Sequence, residues 1–76
     1  MGINEFVTNF ADLFEETDPG TIKPATKFRE IEEWSSLGAL SLIAMVDEHY
    51  HAKLTGEDIR NSQTIEDLYN LVMSRI

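Results

Sequence analysis

Cysteine is absent from the 76 residues, which excludes disulfide stapling and thiolate metal sites and leaves the polypeptide without a thiol of its own. Any thioester chemistry would need a sulfur brought by a prosthetic group. Basic residues are scarce: six Lys and Arg stand against fourteen Asp and Glu, for a formal charge of -8. Such a surface repels phosphate backbones and anionic headgroups, so neither nucleic acid nor a membrane is an expected partner. It favours encounter with proteins that present Lys and Arg, although acidity for solubility alone accounts for the charge equally well. No apolar run approaches the roughly 18 residues of a membrane span, and no basic stretch followed by an apolar one opens the chain. Gly2 does not extend to a myristoylation pattern, because Phe6 stands where that pattern requires Ser or Thr. A cytoplasmic protein is the expectation.

With 42% hydrophobic residues distributed along its length, the chain is too apolar for the disordered class. Residues 1–76 are expected to form one small domain, able to bury about 60% of the surface its unfolded chain exposes. Period-2 alternation with turn spacing is missing, so the reading is all-α without strands. The first helix is predicted over residues 3 to about 16, with Asn4 as N-cap and Phe6, Phe10, Leu13 and Phe14 at helical spacing. In "TDPGTIKPATKF", residues 17–28, Pro19, Gly20 and Pro24 enforce a long loop, which Ile22, Phe28 and Ile31 should pin to the core. A second helix is predicted from Ser36 to about Tyr50. Thr55 with Asp58 opens a short third helix through Ile59. Thr64 with Asp67 repeats the cap signature ahead of a fourth, whose stripe is Ile65, Leu68, Val72 and Ile76.

Placed at about 100° per residue, the second helix divides into two faces. Ala39, Leu42, Ile43, Val46 and Tyr50 form a core side. Leu37, Leu40, Ser41, Ala44, Asp47 and Glu48 form a mixed apolar and acidic patch that begins beside Ser36. The patch has two readings: scattered exposed aliphatics covered by the long loop, or a docking surface with aliphatic anchors among acids.

Ser35 and Ser36 directly precede this helix. Either hydroxyl can serve as N-cap, a contribution of about 1 kcal/mol, and Ser35 fits that role at least as well as Ser36. Nucleophilic catalysis needs a base within reach, yet His49 and His51 lie about 20 Å from Ser36 along the helix at 1.5 Å per residue. The two histidines also make a poor metal site at a spacing of two, and no metal is expected. A phosphodiester on Ser36 suits the positive end of the helix dipole.

The stretch "SSLGALSLIAMVDEHY", residues 35–50, resembles the acyl carrier protein family, in which Asp-Ser-Leu begins an apolar helix that ends in acids and an aromatic. Ser36 and Leu37 match the last two of those positions, and the spacing to Asp47, Glu48 and Tyr50 fits. The long first loop, the short third helix and a closing helix like "TIEDLYNLV" extend the resemblance over nearly the whole chain. It implies an acyl-carrier-like four-helix bundle, three longer helices and one short third, with a long loop between helices one and two. It implies that Ser36 receives 4'-phosphopantetheine from coenzyme A through a phosphopantetheinyl transferase, and that the arm carries acyl groups as thioesters in fatty-acid, lipid or secondary-metabolite biosynthesis. Such a protein is no enzyme but a monomeric carrier. Its partners would be acyl ligases, synthases or transferases with basic docking surfaces, gripping Leu37, Leu40, Ala44, Asp47 and Glu48. Leu42, Ile43, Val46 and Leu68 would line an acyl pocket. Two positions depart from the family: Ser35 stands where an acid usually precedes the modified serine, and Ser41 where many fatty-acid carriers have an acid. A specialised carrier fits these departures. An unmodified acidic adaptor that keeps the fold, or an aminoacyl or peptidyl carrier, are the alternatives.

Overall fold

The computed structural model describes residues 2–76. Four helices follow one another: α1 (Ile3–Ala11), α2 (Ser36–Tyr50), α3 (Gly56–Arg60) and α4 (Ile65–Met73). Short 3-10 turns at Pro19–Thr21 and Phe28–Glu30 punctuate the connection between α1 and α2. Among the described residues the only bridge pairing is an isolated one between Lys27 and Thr64.

The helix α1 starts at Ile3 as expected, but its cap and its C-terminal end differ from the sequence reading. The helix begins after Gly2, an extended residue without a side-chain cap, so Asn4 is not the N-cap but lies inside the first turn, its carbonyl accepting from Thr8 Oγ1 at 3.0 Å. Starting at Ile3 sets that half-buried residue one turn ahead of Val7, which packs on the core. The helix also stops at Ala11 rather than near Glu16. Beyond it the chain tightens, Leu13 N–H donating to Phe10 O and Phe14 N–H to Ala11 O. The physical reason is electrostatic. Asp12, Glu15 and Glu16 would crowd the negative end of a longer helix, whose last turn has no basic residue to offset them. The tightened turn still buries Phe14.

Both predicted capping boxes are present. Thr55 Oγ1 accepts from Asp58 N–H at 3.1 Å while Asp58 Oδ2 accepts from Thr55 N–H at 2.9 Å, and Thr64 with Asp67 repeats the exchange at 3.2 and 3.1 Å. The long loop completes the start of α4: Ile65 N–H donates to Thr26 O at 3.1 Å and Glu66 N–H to Pro24 O at 2.9 Å. Donors that a helix start leaves without intrahelical partners are thus met by the loop, which fixes the loop across the end of α4. Ile22 and Phe28 are buried and Ile31 packs against the core, as their apolar character requires of a loop this long.

One core joins the elements. Phe6, Phe10, Phe28, Leu42, Val46, Ile65, Leu68 and Val72 are its fully enclosed side chains. Met45, which falls outside the core face expected for α2, is buried with them. Ile76 is not: α4 ends at Met73, and the terminal isoleucine is 63% exposed. Arg75 turns back there to donate to Lys53 O and to Asp58, which draws the last residues off the helical stripe.

Candidate functional site

The two serines are distinguished by backbone geometry. Ser35 is extended, with φ -157° and ψ 179°, and its Oγ accepts from Gly38 N–H at 3.3 Å, which makes it the N-cap of α2. Ser36 is the first helical residue. Its side chain is exposed, and its Oγ makes no hydrogen bond among the described residues. Because Ser35 takes the structural role, the Ser36 hydroxyl is left free in solvent at the head of a 15-residue helix.

The patch that follows faces outward. Leu37 is 72% and Leu40 64% exposed, and Ala44, Asp47 and Glu48 are exposed as well, while Ser41 is half-buried. Leu42 and Val46 on the opposite face are fully enclosed, as is Leu68 on α4. Ile43 sits between the faces and is only partly covered.

An open cleft of about 530 Å³ adjoins Ser36, lined by Arg29 and Trp34 from the loop, Ala39, Leu40 and Ile43 from α2, and Ile59 from α3. A second of about 290 Å³, further along α2, shares Leu40 and Ile43 and adds Asp47, Ala52 and Leu54. Of the four residues expected to line a pocket, Ile43 alone borders these clefts; Leu42, Val46 and Leu68 are packed in the closed core.

Two residues that the sequence reading did not single out matter here, Trp34 as a wall of the cleft and Gly38 packed behind it. Trp34 is half-buried, stacked on Phe10 at 6.4 Å with an interplanar angle of 11° and set edge-on to Phe28 at 4.9 Å. It links the aromatic core to the surface beside Ser36. Gly38 is buried against Phe14 and Trp34, so closely that a Cβ would lie 3.0 Å from Phe14 Cε1. A lone tryptophan two residues ahead of Ser36, and a glycine in the first turn of a helix, are the local signals that could have found them. Arg29 and Ile59 carry no such signal, because they reach the cleft from separate elements.

Neither histidine is brought to Ser36. His49 is exposed on the last turn of α2, and His51 ends the helix in the left-handed region at φ 53° and ψ 37°. Among the described residues no group of three or more His, Asp or Glu side chains could hold a metal ion. The perturbed carboxylates are cap residues. Hydrogen bonds from Arg75 and from the Thr55 backbone hold Asp58 well below the usual carboxylate range, and backbone N–H groups of Thr64 and Gln63 lower Asp67. Burial raises the Tyr50 phenol, whose oxygen accepts from Asn9 at 3.3 Å. These shifts belong to the scaffold rather than to Ser36. No helix is long and apolar enough to cross a membrane, among the described residues. Scanned against protein-family models and compared with curated proteins, the chain matches none of them.

Proposed function

We propose that the chain is a discrete acyl carrier with the acyl-carrier-like bundle, modified on Ser36 by a phosphopantetheinyl transferase. The observation that carries this reading is the division of labour between the two serines: Ser35 caps α2, and the Ser36 hydroxyl at the first helical position is exposed and, among the described residues, unbonded. A phosphodiester there meets the positive end of the α2 dipole, worth about 0.3 to 1 kcal/mol at an exposed site. In loading, Ser36 Oγ gives up its proton and bonds to phosphorus, and the nucleotide half of coenzyme A leaves. When bound, 4'-phosphopantetheine supplies the thiol that this cysteine-free chain lacks and holds acyl groups as thioesters.

The chain's own residues then present the tether. Leu37, Leu40 and Ala44 offer aliphatic anchors, and Asp47 and Glu48 offer charge to a basic groove on a transferase, ligase or synthase. Ser36 stands clear of both histidines, which supports a carrier role over single-chain nucleophilic catalysis. The expected setting is the cytoplasm, in lipid or secondary-metabolite synthesis.

Incubation with coenzyme A, magnesium and a broad-specificity transferase should add one phosphopantetheine to the intact mass, all of it on Ser36. An unchanged mass, or a Ser36→Ala variant that still gains mass, would remove the proposal. A second reading is favoured by one feature: the exposed Leu37 and Leu40 patch needs no modified serine to bind a partner, and the family's preceding acid is Ser35 here. An unmodified adaptor would bind partners equally well as Ser36→Ala.

A further inference from the structure

The five residues of α3 make little more than one hydrogen-bonded turn, far below the length at which helices persist alone. Ile59 is its one buried side chain. Two arginines from distant parts of the chain hold it. At the N-terminal end, Arg75 Nη1 and Nη2 donate to the Asp58 carboxylate at 2.5 and 3.0 Å. At the C-terminal end, Arg29 Nη2 donates to Ile59 O at 2.6 Å and to Arg60 O at 2.7 Å. A guanidinium at that end meets the carbonyls of the last turn and the negative pole of the helix.

Arg29 belongs to the 3-10 turn Phe28–Glu30, with its guanidinium carbon 4.9 Å from the centre of the Phe28 ring. That turn and α3 both border the cleft beside Ser36, Arg29 from one side of the chain and Ile59 from the other. The two hydrogen bonds therefore tie one wall of the cleft to another across 30 residues of sequence.

We propose that Arg29 is a positioning residue for the Ser36 site, a clasp that fixes α3 to the loop and so sets how far the cleft opens to an apolar cargo chain. The cargo rests on the carrier reading; the clasp does not. Three features converge on this role. The bonds are charge-assisted, they end on a helix too short to hold its place by its own hydrogen bonds, and they join two walls of the cleft next to the free hydroxyl. Both bonds leave a single nitrogen, so a lysine ammonium can reproduce them, whereas methionine keeps the aliphatic stem and supplies no donor.

The test compares wild type, Arg29→Met and Arg29→Lys as unloaded chains. Arg29→Met should raise amide exchange at Asn61 and Ser62, whose N–H groups bond back to α3, by about tenfold or more while α1 and α4 keep their protection. Acrylamide quenching of Trp34, the single tryptophan and a wall of the same cleft, should rise in parallel. Arg29→Lys should restore both. Unchanged exchange and quenching in Arg29→Met would overturn the proposal, as would exchange that rises equally in every helix, since Arg29 would then only support global stability. Failure of Ser36 to accept a phosphopantetheine would sink the carrier reading and leave these measurements intact.

Discussion

Ser35 Oγ accepts the Gly38 N–H at 3.3 Å, and the neighbouring Ser36 Oγ is bonded to nothing among the described residues. Two adjacent hydroxyls therefore have separable consequences. Ser35→Ala should cost about 1 kcal/mol in urea unfolding, because the cap is lost. Ser36→Ala should stay within about 0.5 kcal/mol of wild type yet abolish labelling by a phosphopantetheinyl transferase. The opposite stability ranking would mean that the cap had been assigned to the wrong serine.

Gly38→Ala tests the packing of α2 on the aromatic core. Alanine gains about 1 kcal/mol in helix propensity, but its methyl would press on the buried Phe14 ring, an overpacking that costs about 1 to 3 kcal/mol. The expected net result is destabilisation, seen as a lowered Tm. A raised Tm would show that Phe14 moves aside freely.

His51 holds a left-handed conformation at φ 53°, a region that penalises side chains with a Cβ. His51→Gly should therefore stabilise the chain by about 0.5 to 1 kcal/mol in thermal unfolding, without touching Ser36. A loss of stability would point to a role for the imidazole itself.

Acid should weaken the fold through its caps. Asp58 and Asp67 are lowered in the folded state, so the stability they contribute is present above the ordinary carboxylate pKa and is lost as pH falls toward their folded values. Unfolding free energy should drop below about pH 4, and Asp58→Asn should be less stable at pH 7 and less pH-dependent in acid. Parallel curves for the variant and wild type would contradict the Arg75 and Thr55 contacts as the cause.

The outer face of α2 and the aromatic core beneath it should respond differently to substitution. Leu37→Arg, or Asp47→Lys with Glu48→Lys, should slow turnover by a partner enzyme while stability stays within about 0.5 kcal/mol. Phe10→Ala, by contrast, should cost about 3 to 5 kcal/mol through a cavity in the core, a large share of what a small domain has. Unfolding by the first pair would mean that the patch is structural.

The sequence alone determined the elements whose causes are local. Thr55 with Asp58 and Thr64 with Asp67 announce their helices because a capping box closes within four residues, and α2 runs over Ser36–Tyr50 as its apolar spacing requires. The exposure of Leu37 and Leu40 likewise follows from helical period. Tertiary structure decided the rest. It drew Ile76 out of the core through Arg75, and brought Arg29, Trp34 and Ile59 together beside one hydroxyl. Those outcomes depend on contacts between residues tens of positions apart, and no local pattern records them, because a side chain's partners across a core are set by how whole elements pack.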